Sequence, residues 1–401
     1  MNILLKNRNF LLLWTGQSVS GLGTWINFIG LNAYIYHLYG SGRLLGLFLV
    51  IRLIPSVFFG SLGGVLADRF DRRKIMLICD ALRALMVLAF IFSTGLTEFF
   101  VIGFLLSALD KVFTASFGSM VPDIVKKEDL MQANSLSRMS SSVITVVGPA
   151  LGGLLIGFWG YKVVFLVDSL SFVFSVVTLL MIHTAAKEAA QRKERQSIVQ
   201  EFRESAVFLA GSTLLMSTLF LRFLDGMGSG TYNAVLPVYG LKAVSLKGSF
   251  YGYLIAFWGA GTFIGSMAVT FLQKRMKVSL INLYCGAMVV MACGMGFTFR
   301  CDLWYCAFMS IFMGGVGDGI SSVIFMTFLM EKPPAHMRGK IFGTVSAILY
   351  MMVGIGTYVA GLLLDKIKYV HITDVGSLVI VAGTLAVWLF LLLRKEKDKS
   401  L

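Results

Sequence analysis

Charge is what this chain has least of. Asp, Glu, Lys and Arg make up 14% of its 401 residues against 57% hydrophobic ones, and the mean hydropathy is +0.81, which excludes an ordinary water-soluble fold of this length. The solvent implied is the bilayer. A span takes about 20 mostly apolar residues to cross a hydrocarbon core of about 30 Å, so about a dozen spans with short connections use the whole length. Nothing remains for a catalytic domain, and an enzyme is not expected. Cys79, Cys285, Cys293, Cys301 and Cys306 lie in or at the ends of apolar segments, with no paired motif and no histidine at ligand spacing. Neither a disulfide framework nor a metal site is therefore expected. No glycine-lysine-serine/threonine phosphate loop occurs, so ATP is not expected as a direct energy source. The apolar run from Phe10, after Lys6 and Arg8, has no small-residue cleavage site and reads as a retained span rather than a signal peptide.

The charge that is present is lopsided, with a formal net of +14. Its distribution argues against nucleic acid as a partner. If the N-terminus lies inside, the basic groups at Lys6 and Arg8, Arg69 to Lys74, Lys126 and Lys127, Lys187 to Arg203, Lys274 to Lys277, Lys332 to Lys340 and Arg394 to Lys399 share one side. The other side holds only Arg43, Lys162, Lys242, Lys247, Arg300, Lys366 and Lys368. This is the positive-inside pattern of a chain with both termini in the cytoplasm, with membrane lipids as the partner of its basic face.

Hydropathy and turn punctuation predict twelve spans, at 10–37, 43–67, 74–95, 98–121, 135–157, 161–183, 205–239, 248–272, 278–299, 303–330, 340–364 and 371–393. The longest polar stretch, 184–204, is expected to be a cytoplasmic linker, partly an amphipathic surface helix, between six-helix bundles at 1–183 and 205–401. A weak repeat supports the division. Gly265 to Arg275 aligns with Gly64 to Lys74 at the glycine, an alanine, a phenylalanine and the closing basic pair.

Within the first of those stretches, Gly63-Gly64-Val-Leu-Ala-Asp68-Arg69-Phe-Asp71-Arg72-Arg73-Lys74 combines glycines suited to close helix packing with an acid and a basic cluster. It resembles the loop between helices two and three of the major facilitator superfamily, with Asp71 where that pattern has glycine. Gly148-Pro149-Ala-Leu-Gly152-Gly153 is similar to the fifth-helix motif of the superfamily's antiporters. Proline bends that helix and the small residues admit a neighbour. Asn9 to Ser18, Val121-Pro122-Asp123 with Asp129 to Asn134, and Met337 to Phe342 resemble the drug:proton antiporter branch that holds macrolide-efflux proteins. The resemblance implies an all-α membrane protein of twelve helices in two bundles. It also implies conformational roles for Gly64, Asp68, Arg69, Arg72, Arg73, Gly148, Pro149, Gly152 and Gly153, and cavity-lining roles for spans one, four, seven and ten.

All four of those spans carry polar residues, which cost roughly 2.5–3.5 kcal/mol each at membrane depth when ionisable. Gln17, Ser20, Thr24 and Asn27 share one face of span one, as substrate or water contacts or as bonds to a neighbouring helix. Asp110 and Lys111 in span four lie about 100° apart on the helix and are expected to point in different directions, Lys111 with Thr114. Arg222 and Asp225 in span seven are neighbours, with Ser229 and Tyr232 continuing their face. Burial favours the neutral form of such a carboxylate and Arg222 the charged form, so Asp225 is placed to take and release a proton or to form a static ion pair. Asp318, with Ser321 below it, sits among the glycines of span ten and is expected to face a cavity. Arg52 and Asp168, in the outer half of the first bundle, are read as a structural charge pair, with an outer gate as the alternative.

The resulting expectation is a cell-membrane exporter of amphipathic or hydrophobic compounds of macrolide or multidrug type. It acts as a monomer by alternating access, with a proton from Asp225, Asp318 or Asp110 as its coupling ion and no cofactor. A lysophospholipid or glycolipid translocator and a siderophore exporter stay open as alternatives. A non-transporting membrane receptor or assembly factor is the reading from a different class.

Overall fold

A computed structural model describes residues 7–183, 198–242, 249–276, 279–334 and 337–397. Most of the linker, 184–197, lies outside them, as do Lys6, Lys247, Lys277 and Lys399 and the side chains of Asp68, Lys127, Lys242, Lys274, Arg338, Gly339, Lys340, Arg394, Lys395 and Lys397. Among the described residues the regular structure is helical. The α-helices are α1 (Arg8–Tyr39), α2 (Gly42–Arg69), α3 (Arg72–Ala89), α4 (Leu96–Ile124), α5 (Leu130–Trp159), α6 (Tyr161–Leu180), α7 (Ile198–Ala210), α8 (Thr213–Lys242), α9 (Ser249–Met276), α10 (Leu280–Thr298), α11 (Trp304–Glu331), α12 (Arg338–Leu364) and α13 (Tyr369–Lys397).

Eight of these helices are long and apolar enough to cross a membrane: α4, α5, α6, α9, α10, α11, α12 and α13. The span expected at 205–239 is in fact two helices. Arg203–Ala210 meets Thr213–Gly240 at a bend of 111°, so α7 is a separate amphipathic piece and α8 is the apolar one. Gly211 and Ser212 break the run, and the Ser212 hydroxyl accepts from Leu215 N at 3.4 Å to start α8. α1 is long enough to cross, but its polar stripe lowers its apolarity. α3 is only 18 residues long and contains Asp80 and Arg83.

Local signals set the ends. Asn7 caps α1, its side chain accepting from Phe10 N at 3.2 Å, and Gly40 ends that helix in the left-handed region at φ 60 with its N–H on Tyr36 O. Asp71 caps α3 by accepting from Arg73 N at 2.9 Å and Lys74 N at 3.3 Å. The departure from glycine there supplies a cap in place of conformational freedom.

Packing depends on small residues, because lipid tails give apolar helices no hydrophobic reason to associate. α1 presents Gly16, Gly23 and Gly30, seven residues apart, to α6; a Cβ on Gly30 would lie 2.5 Å from Val164 Cγ1, and one on Gly23 2.7 Å from Asp168 Oδ1. α10 and α11 meet the same way, a Cβ on Gly294 falling 2.5 Å from Gly314 N. The outward faces carry bulky apolar side chains such as Phe92 and Phe158, 79% and 74% exposed, which suit contact with lipid.

Contacts divide the chain into two compact units, Met1–Gly40 with Phe48–Lys193 and Val244–Ala256, and Ser41–Leu47 with Glu194–Ala243 and Phe257–Leu401. The division differs from chain order by two short segments. Close backbone approach explains both: a Cβ on Gly46 would lie 2.8 Å from Gly361 Cα in the second unit, and one on Gly252 2.8 Å from Gly153 Cα in the first.

Candidate functional site

In the first unit the polar stripe of α1 opens onto a cavity of about 330 Å³. Gln17, Ser20 and Thr24 line it, together with Asp110 and Thr114 from α4, Arg83 from α3, and Trp14, Trp25, Phe113 and Phe117 as apolar walls. Asn27, one turn further along α1, is outside this lining and 94% buried, a complement of the 6% exposure it retains.

Arg83 organises the charge beside the cavity. One of its nitrogens, Nη1, is 3.0 Å from Asp80 Oδ1 and the other, Nη2, 3.0 Å from Asp110 Oδ1. Its guanidinium lies 4.3 Å from the ring centroid of Phe172 and 5.3 Å from that of Phe113. Neither Asp80 nor Arg83 stands out in the sequence beside the signature loop, yet a signal exists: two opposite charges three apart in the apolar run of α3, the same spacing as Arg222 and Asp225. Asp110 and Lys111 do not diverge as expected. The long lysine side chain curls back around the helix and brings Nζ to 3.3 Å from Asp110 Oδ2.

The second unit buries a tighter group. Arg222 Nη1 is 2.7 Å from Asp225 Oδ2 on the same helix and 3.7 Å from Asp318 Oδ1 on α11. Its Nη2 donates to Ser321 Oγ at 3.0 Å and to Ser322 Oγ at 3.1 Å. Ser229 donates to Asp225 Oδ1 at 3.0 Å and Ser322 to Asp318 Oδ1 at 3.1 Å. The rings of Phe325 and Tyr284 lie 5.4 Å and 5.8 Å from the guanidinium. A glycine of α11 packs that helix closely against α10, which carries Tyr284: a Cβ on Gly317 would lie 2.5 Å from Ala287 O. Formal charge here is one positive against two negative.

One expected cavity residue serves packing instead, and one expected charge pair does not form. Tyr232, 2% exposed, hydrogen-bonds Ser377 Oγ at 2.8 Å and stacks on Phe299, so it joins α8 to α13 rather than lining a cavity. Arg52 and Asp168 are not in ion-pair contact: Arg52 lies 5.7 Å from the ring centroids of both Phe28 and Phe48, while Asp168 accepts from Ser171 Oγ at 3.3 Å. The guanidinium lies within cation–π distance of both rings instead.

The basic loop ties three helices together. Arg72 donates to Ala67 O at 3.1 Å and Ser119 O at 2.9 Å and pairs with Asp123. Arg73 donates to the terminal carbonyls of α6, Leu179 O at 2.7 Å and Leu180 O at 2.6 Å, where a cation complements the helix dipole. Arg69 is exposed and Gly64 half-buried, while a Cβ on neighbouring Gly63 would lie 2.9 Å from Val112 Cα of α4. In α5, Gly148, Pro149, Gly152 and Gly153 are all buried. Gly148 and Gly152 face Trp25 and Ile26 of α1, and Pro149 and Gly153 face Gly252 of α9.

The chain matches the family described as Major Facilitator Superfamily over residues 13–357. Among curated proteins it is 24% identical over 379 residues to the uncharacterized MFS-type transporter YfiS of Bacillus subtilis (strain 168), covering 91% of this chain and 89% of that one. It is 22% identical over 372 residues to macrolide efflux protein A of Streptococcus pyogenes, covering 90% and 91%. Among solved structures, the nucleoside transporter NupG shares the fold at a TM-score of 0.78 and 12% identity, over 95% of this chain and 98% of that one.

Proposed function

This chain belongs to the Major Facilitator Superfamily, which makes it a multi-pass membrane transporter and not an enzyme, and we propose that it exports amphipathic or hydrophobic molecules in exchange for protons. One observation carries the proposal: the second unit buries a single guanidinium between two carboxylates, Arg222 with Asp225 and Asp318. With both acids ionised the group holds one uncompensated negative charge in a nonpolar surrounding, a costly state that one bound proton removes. Asp318 is the natural carrier, being 3.7 Å from Arg222 where Asp225 is 2.7 Å away, and more exposed, at 19% of its side chain against 10%.

Alternating access lets Asp318 load its proton on one side and lose it on the other while the substrate moves outward. The membrane potential adds about 2.3 kcal/mol per 100 mV for each charge carried. The direction of transport is supported by the fifth-helix glycine-proline motif and by the similarity to a macrolide efflux protein. The membrane is the cell membrane, crossed twelve times with both termini and the basic loops in the cytoplasm. The protein acts as a monomer, and α7 lies along the membrane surface. No cofactor is required beyond the coupling proton.

The test is efflux from proteoliposomes, with macrolides, dyes, siderophores and lysolipids as candidate substrates, under an imposed pH gradient and potential. Transport is expected to accelerate with inward proton drive, and efflux indifferent to both gradients would end the proton-coupled reading. A receptor or assembly factor would be favoured if Asp225→Asn and Asp318→Asn both left every phenotype intact while loop substitutions abolished it.

A further inference from the structure

The cavity of the first unit is rich in hydrogen-bond acceptors, and its free donors, the amide of Gln17, the indole of Trp25 and the hydroxyls of Ser18 and Thr114, are all uncharged. Seven of its lining residues carry hydroxyls. Five of those seven donate to a backbone carbonyl about one turn earlier: Ser20 to Gln17 O, Thr24 to Ser20 O, Ser137 to Ala133 O, Ser140 to Leu136 O and Ser141 to Ser137 O, at 2.9 to 3.3 Å. A carbonyl can only accept, so the single proton of each hydroxyl is committed and its oxygen is left as an acceptor. The oxygen of Ser140 is occupied by Trp14 Nε1 at 2.9 Å. Those of the other four are available, and Gln17 Oε1 adds a buried acceptor with no partner among the described residues. The donors of Arg83 are directed at Asp80 and Asp110, and its flat faces lie against Phe113 and Phe172.

Charge excludes a second set of ligands. Asp80 and Asp110 are matched by Arg83 and Lys111, so the cavity wall offers no net attraction to an anion or a cation. The remaining walls are the rings of Trp14, Trp25, Phe113 and Phe117, flat apolar faces onto which the C–H side of a saturated ring can stack. A volume of about 330 Å³ is near the lower end of small-molecule sites, roughly 300–1,000 Å³, and fits a ring-sized polar group.

We infer that the molecule bound here is uncharged and hydroxyl-rich at one end, a sugar- or polyol-like group carried on an apolar body. Its hydroxyl protons supply the donors that Gln17 Oε1 and the serine and threonine oxygens lack. Its apolar body accounts for the aromatic walls. The inference rests on the reading of the chain as an exporter of amphipathic molecules and narrows that class to neutral glycoside-like ones. It sets anionic phospholipid headgroups and cationic dyes apart as poor ligands.

The experiment uses the full chain in lipid nanodiscs, free of glycoside detergent and without any gradient. Phenyl β-D-glucopyranoside, phenyl phosphate and phenyltrimethylammonium share one apolar body and differ in charge and donors; their binding is measured by calorimetry. The glucoside is expected to bind at least about tenfold more tightly than either charged probe, and Gln17→Met to weaken it by about tenfold. Ser141→Ala, a milder change on an exposed residue, is expected to weaken it by about threefold, and thermal unfolding verifies that both variants fold. Preference for a charged probe, equal binding of all three, no binding of any, or glucoside binding unchanged in both variants overturns the inference. Flux in proteoliposomes separates the two proposals. Glucoside transport indifferent to a pH gradient would sink proton coupling and leave the ligand class standing, whereas gradient-driven transport of the ammonium or phosphate probe with no binding of the glucoside would do the reverse.

Discussion

Each unit buries an arginine between two aspartates, but the two units balance that charge differently. In the first, Asp110 is also 3.3 Å from Lys111, and its side chain remains 37% exposed beside the cavity. Two cations there face two anions. In the second, no further cation joins Arg222 among the described contacts, and the two acids keep 10% and 19% of their side-chain surface. The same trio of one arginine and two aspartates therefore belongs to a neutral cluster at the wall of a ligand-sized cavity in one unit and makes a charge-deficient one, enclosed by helices, in the other. The first is suited to shaping a binding wall and the second to holding a transferable proton.

The sharpest way to break this comparison is to remove each arginine. Arg222→Met leaves two buried carboxylates with only serine partners, and the loss of a buried ion-pair partner costs about 3–5 kcal/mol. A large fall in Tm and in folded yield is expected, recovered in part by adding Asp225→Asn. Arg83→Met is expected to cost less, about 1–3 kcal/mol, because Asp110 keeps Lys111 and some access to water and only Asp80 is stranded. Equal falls in Tm for the two variants would show that the charge difference between the units has no energetic consequence.

Asp318→Asn tests function rather than folding. It makes the second cluster neutral, so the protein is expected to fold with at most a small change in Tm while efflux stops responding to an imposed pH gradient. Asp110→Asn is expected to retain that response and to alter substrate affinity. The reverse pattern in proteoliposome flux would reassign the proton to the first unit.

The smallest effects belong to local devices. Asp71→Ala removes the cap of α3 and is expected to cost about 1 kcal/mol, Asp71→Gly only a few tenths, by thermal unfolding. Lys111→Met breaks a partly exposed pair and is expected to change Tm by the equivalent of less than about 1 kcal/mol. A larger loss would show that Lys111 is structurally required to keep the first cluster neutral.

Much of the second cluster is legible in the chain itself. Arg222 and Asp225 stand three apart in an apolar run, so helix periodicity alone makes them neighbours, and Asp318 is conspicuous as an acid among glycines. The cavity face of α1 is legible for the same reason, as Gln17, Ser20 and Thr24 repeat at helical spacing. Asp80 and Arg83 carry the same local signal, but the basic loop just before them competes with it. The contact of Asp110 with Lys111 is not legible from spacing, since adjacent residues diverge on a helix and only the length of the lysine side chain closes the gap. Tyr232 shares the face of Arg222 and Asp225, yet at its level that face meets α13 and Phe299, which spacing along one helix does not reveal.

Composition, loop charge and the spacing of apolar runs by themselves determined that this chain is a helical membrane protein with polar groups on particular helices. Those properties follow from the cost of exposing backbone and charge to hydrocarbon, which acts on each segment separately. Only the tertiary structure decided which charges meet across helices. Arg222 and Asp318 are 96 positions apart and reach each other across α8 and α11, and Arg83 joins Asp110 across 27 positions from α3 to α4. Whether an acid ends up balanced beside a cavity or short of a cation between packed helices depends on which side chains reach it: Lys111 reaches Asp110, and among the described contacts no second cation lies beside Asp318.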